Sequence, residues 1–117
     1  MTPAQFEAFC LGLPGATLSI QWGDDRVYKV GGKMFAVGGG AVGAGGFSLK
    51  TSDIAFEVLT ENGPGRPAPY LARAKWVAFP GVDAIPDEDI QNLVTHAHAI
   101  VAAKLTKAAR REAGLPV

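Results

Sequence analysis

The chain has 117 residues, 48% of them hydrophobic and 19% charged, which is the make-up of one folded domain and excludes a disordered chain. Eleven basic residues balance eleven acidic ones, so bulk charge gives no support to nucleic-acid binding, and no apolar run approaches the roughly 18 residues of a membrane span. The one cysteine, Cys10, excludes an internal disulfide and a cysteine zinc cluster; with Glu7 inside the first apolar segment and no basic leader, the expectation is a cytoplasmic protein.

Thr2-Pro3 has the chemistry of a helix cap followed by proline in the first turn. Phe6, Phe9, Cys10 and Leu13 then recur at helical spacing, and Pro14-Gly15 stops the helix. Leu18, Ile20 and Trp22 alternate with polar neighbours, as in a half-buried strand, and Gly23-Asp24-Asp25 signals a turn. Residues 26–30 and 33–37 read as two strands joined by the two-residue hairpin turn Gly31-Gly32. Phe47 to Lys50 reads as a fourth strand. Ser52 caps a helix from Asp53 to about Asn62, with Ile54, Val58 and Leu59 expected on its apolar face and Gly63-Pro64 as its stop.

The proline-rich stretch 63–74 has no periodicity and leads to a fifth strand at residues 75–79. Pro86 and the acidic run Asp87-Glu88-Asp89 open the longest helix, whose Ile90, Leu93, Val94, Ala97, Ile100, Val101 and Leu105 keep helical spacing. Thr106 is placed to cap a short basic helix after it. The order α-β-β-β-β-α-β-(β)-α predicts an α+β, two-layer domain spanning 1–117, with helices covering an antiparallel sheet.

Candidate chemistry is sparse. Gly38, Gly40 and Gly43 form a G-x-G-x-x-G, but a strand signal follows where a dinucleotide loop needs a helix, so the run reads as a flexible strand connection and no nucleotide cofactor is expected. His96 and His98 are two apart and point away from each other on a helix, which excludes a shared metal, and His98 reads as a packing residue. Cys10 lies among phenylalanines, where a thiolate is disfavoured. No catalytic constellation is nominated, so no enzyme, metal or cofactor is expected. The basic residues are unevenly spread: residues 26–50 hold Arg26, Lys29, Lys33 and Lys50 without an acid, and residues 66–75 hold Arg66, Arg73 and Lys75 likewise. Lysine on exposed strands is a general device against edge aggregation, and the same side chains can approach phosphates.

The blocks LPGA (13–16), WG (22–23), KVGGKMFA (29–36), SLKT (48–51), PAPYLARAKWVAF (67–79) and IVAAKLTKAAR (100–110) resemble, in this order and over nearly the whole chain, the MmcQ/YjbR family. That family often has Ser-Tyr in its last long helix where this chain has Ala97-His98. The resemblance implies a curved antiparallel sheet covered by helices, related to secretion-chaperone-like and frataxin-like folds, and a "double-wing" DNA-binding module. Carried onto this chain, it nominates Lys29, Lys33 and Lys50 on the wing-like hairpins, with Arg73, Lys75 and Trp76 on the later strand, as the DNA-contacting set. The alternative is a protein or peptide interaction module, or a homodimer, using an exposed sheet face or the apolar groove beside the PAPYL loop. Neither reading involves a membrane.

Overall fold

A computed structural model describes residues 1–39 and 46–116. The elements run α1 (Pro3–Leu11), β1 (Ala16–Gln21), β2 (Asp25–Val30), β3 (Lys33–Gly38), β4 (Phe47–Lys50), α2 (Asp53–Glu61), β5 (Arg66–Pro67), a 3-10 turn (Ala72–Ala74), β6 (Trp76–Phe79), α3 (Asp87–Ala103) and α4 (Lys107–Glu112). The caps explain where the helices start. Thr2 accepts from the Gln5 amide while the Gln5 side chain accepts from the Thr2 amide, a reciprocal capping box, and Ser52 and Thr106 accept from the amides of Ala55 and Ala109.

The strands form one antiparallel sheet in the order β1-β2-β3-β4-β6-β5. The Gly31-Gly32 turn pairs Val30 with Lys33, and Gly31 at φ +59° supplies the left-handed backbone that the turn requires. A β-bulge interrupts the β2–β3 ladder: Tyr28 pairs with Ala36 and Lys29 with Met34, leaving Phe35 unpaired between them. Phe35 and Ala36 therefore both join the helix-side core, which strict alternation forbids.

That core lies between the sheet and the helices. Phe6 of α1 meets Tyr28 and Phe47, Phe47 stacks on Phe79 with centroids 4.9 Å apart, and Ile90, Val94, Ala97 and Val101 of α3 close over them. Cys10 is fully buried here, and desolvation pushes its thiol far above the ordinary range, so it is a packing residue. His98 is buried as well, with its Nε2 2.7 Å from the Pro14 carbonyl and its ring edge-on to Phe35. The opposite face carries a smaller cluster of Val27, Val37, Ala68, Trp76 and Ala78.

Helix α2 departs from the expected packing. Ile54 and Val58 are 77% and 61% exposed, while Phe56 and Leu59 pack against the core. Gly65 explains the rotation: a Cβ there would stand 2.8 Å from the Leu59 carbonyl oxygen and from Val77, so the chain returns tightly under the Leu59 side of the helix. Ile54 and Val58, four apart, are then turned outward. The extra strand beside the fifth expected one is the two-residue β5, which lies before it in the chain. The G-x-G-x-x-G extends into residues 40–45, outside the described residues; at its base the Gly39 amide donates to the Gly46 carbonyl.

Candidate functional site

Strand direction decides where the basic residues go. β2 and β4 end, and β3 and β6 begin, at the same end of the sheet, so Lys29, Lys33, Lys50 and Lys75 are brought together there from segments up to 46 residues apart in the chain. Lys33 is exposed and Lys29 half-buried. Lys50 pairs in register with Trp76 and its Nζ donates to the Ala74 carbonyl. Lys75 has a left-handed backbone at φ 62° and holds its Nζ 5.0 Å from the centre of the Phe56 ring.

Burial and then the charge of Lys104 lower the Lys50 pKa, with Asp53 opposing and Lys75 adding to the effect. Lys104, the residue that ends α3, is thus part of this end, and sequence reading missed it because only the docking of α3 on the sheet carries it there. The ion pairs among the described residues are Arg26 with Glu7 and the Met1 amine with Asp87. None of Lys29, Lys33, Lys50, Arg73 and Lys75 is in either.

Two of the nominated residues differ from the four lysines in their setting. Arg73 is exposed on the 3-10 turn. Trp76 is 4% exposed, buried with Val27, Ala68 and Ala78 beneath the loop after β5, and so packs the sheet's second face instead of offering a ring to a base.

That second face also holds a cleft of about 430 Å³. Its walls are Val37, Ala68, Pro69 and Leu71, with Asp25 and Ser48 among the lining residues and Trp22 and Tyr70 at its edge. The cleft forms because β5 covers only part of the face and the 66–74 segment arches back over it, held by the Ala68 amide on the Trp76 carbonyl and the Trp76 amide on the Leu71 carbonyl. Sequence reading found the PAPYL groove but took Asp25 for a turn residue. Asp25 instead begins β2 and is buried.

The family model described as YjbR matches residues 11–100, a span that includes β1 to β6, both lysine-bearing hairpins and most of α3. The chain belongs to the YjbR family. Among solved structures it is similar to Deinococcus radiodurans protein DR2400, described as a DUF419 domain, at 27% identity and a TM-score of 0.81, over 98% of this chain and 89% of that one. No curated protein matches the chain. The fold of this chain is thus a six-stranded open sheet with helices on one face, and the cleft and Lys29, Lys33, Lys50 and Lys75 lie within the matched span, with Lys104 beyond it. Among the described residues no helix is long and apolar enough to cross a membrane, and no three His, Cys, Asp or Glu side chains are grouped to hold a metal.

Proposed function

We propose that this YjbR domain is a non-catalytic module that binds DNA through phosphates at the lysine end of its sheet. The observation that carries the reading is the gathering of Lys29, Lys33, Lys50 and Lys75 at one sheet end, with Lys104 close enough to act on Lys50 and no ion pair taking up any of the four among the described residues. A phosphate backbone supplies the missing counter-charge, and neutralising it releases condensed cations. Arg73 and Lys104 extend the contact, whereas Trp76 supports the sheet beneath it. Nothing in this arrangement reads a base edge, so the binding is weak and tolerant of sequence.

Titration of a labelled duplex followed by anisotropy at several salt concentrations tests this. Four phosphate contacts predict a slope of about −3 to −4 for log K against log salt, and Lys33→Gln and Lys50→Gln each reduce its size by about one. No binding at low salt, or binding indifferent to salt, overturns it.

A second reading is a protein-interaction module or homodimer formed along β1. It is favoured by the edge position of that strand and by its Ile20, which is 52% exposed. Sedimentation velocity decides the dimer: a monomer at all concentrations removes it.

A further inference from the structure

Two of the gathered lysines and the cleft share one face of the sheet. Residues directly opposite each other in an antiparallel pair project to the same side, so register fixes the face of each lysine. Lys50 stands opposite Trp76 and Lys29 opposite Met34, and both Trp76 and Met34 belong to the cluster on the open face. Along β4, Ser48 lines the cleft and Lys50 follows two residues, or about 7 Å, later; along β2, Asp25 lines it and Lys29 is four residues, or about 13 Å, away.

The cleft has apolar walls in Val37, Ala68 and Leu71, and at its edge stand Trp22, 66% exposed, and Tyr70, fully exposed. Both have left-handed backbones, at φ 49° and φ 65°, a conformation that bulky residues rarely adopt; among the described residues the one other non-glycine with positive φ is Lys75. The enclosed Asp25 Oδ1 is out of reach of a ligand, so what the cleft offers is mainly apolar wall and ring face. Asp24 and Asp25 follow Trp22 closely in the chain, which sets acidic charge at the cleft end and basic charge at the other. A ligand that meets both ends keeps its anionic part on the lysines and puts an uncharged, flat part into the cleft.

We propose that the DNA taken by this domain is single-stranded, with its phosphates on the lysine end and an unpaired base seated in the cleft against the rings of Trp22 and Tyr70. This rests on the phosphate reading and adds to it the form of the nucleic acid. A duplex keeps its base faces stacked inside, whereas one or two nucleotides of an extended strand bridge the separation between Lys50 or Lys29 and the cleft. The cleft, at about 430 Å³, lies within the ~300–1,000 Å³ range of small-ligand pockets. Every base has an aromatic face, so the site is tolerant of sequence.

A labelled thymidine strand of about 12 nucleotides and a duplex of the same length are titrated with the full chain by anisotropy, over a range of salt. The strand is expected to bind at least about tenfold more tightly than the duplex, and the double variant Trp22→Ala/Tyr70→Ala to lose that advantage while keeping the duplex affinity and its salt slope. Trp76 is buried and Trp22 exposed, so quenching of tryptophan fluorescence by the strand reports Trp22; Trp22→Phe removes the quench and keeps most of the affinity. Equal affinity for strand and duplex, no quench, or a double variant that binds the strand as wild type does overturns the proposal, and the phosphate reading stands if the salt slope persists. Loss of salt dependence for both forms overturns the phosphate reading, and this proposal with it.

Discussion

The two faces of the sheet solve different problems. The helix-covered face is packed throughout: Tyr28, Phe35, Phe47, Leu49, Val77 and Phe79 are essentially inaccessible to water and meet residues of α1 and α3. The other face has a smaller buried cluster of Val27, Val37, Ala68, Trp76 and Ala78, one enclosed carboxylate oxygen, and a cleft lined in part by the exposed Trp22 and Tyr70. One face carries most of the packing, and the other is only partly covered.

The largest effect that sharpens this contrast comes from Phe47, whose ring centroid lies 4.9 Å from those of both Phe6 and Phe79. Phe47→Ala removes the centre of that stack and is expected to cost about 3–5 kcal/mol, read by urea denaturation. Met34→Ala, on the half-buried margin of the open face, is expected to cost no more than about 1 kcal/mol. Equal losses would break the contrast.

Gly65→Ala probes the seam where α2 meets the sheet. The new Cβ would lie 2.8 Å from the Leu59 carbonyl, which as backbone cannot swing aside. A loss of about 2 kcal/mol is expected, with the Phe56 and Leu59 packing disturbed. Gly32→Ala is the comparison, since a Cβ there meets nothing within 4 Å and only its φ of +80° opposes the change, at about 1 kcal/mol.

At the cleft the expected sign reverses. Asp25→Asn exchanges an enclosed carboxylate for a neutral amide and is expected to raise stability by about 1 kcal/mol, read by urea denaturation. Trp22→Gly relaxes a left-handed backbone that disfavours a side chain, and stability is expected to rise by up to about 0.5 kcal/mol. Gains in melting temperature would mark these residues as kept for something other than stability, and losses would make them ordinary parts of the fold.

Much of this architecture was legible in the sequence because its signals are local. Thr2, Ser52 and Thr106 announce their helices through side chains that reach three residues, and Gly31-Gly32 fixes the hairpin register by itself. What could not be read depends on how segments pair and pack against one another. The bulge at Phe35 is defined only against Tyr28 and Lys29, and β5 is a strand only because Arg66 and Pro67 meet Ala78 and Val77. The outward turn of Ile54 and Val58 follows from the contact at Gly65, and the burial of Trp76 from the loop that arches over it. The lysines were found as a charge pattern, but their convergence at one sheet end, and the addition of Lys104, needed the strand order and the docking of α3.

The smallest expected effect lies where α1 meets β2. The Glu7 carboxylate accepts from the Arg26 guanidinium and, at 3.2 Å, from the Tyr28 hydroxyl. The Arg26 hydrogen bond is the main cause that holds the Glu7 pKa below its ordinary 4.5, against the opposing effect of desolvation. A folded pKa below the unfolded one contributes stability that is complete above the unfolded value and disappears as pH falls through the folded value. Wild type is therefore expected to exceed Glu7→Gln slightly in stability at pH 7, and the difference to close as pH drops below about 4.5, read by paired denaturation curves. Because the pair is partly exposed, added salt should shrink the same difference at pH 7, whereas the Phe47→Ala loss should not respond to salt. A Glu7→Gln difference that persisted at low pH would mean that the amide disturbs the packing of Phe6 on Tyr28, and the edge would then belong to the packed face instead of to its charged margin.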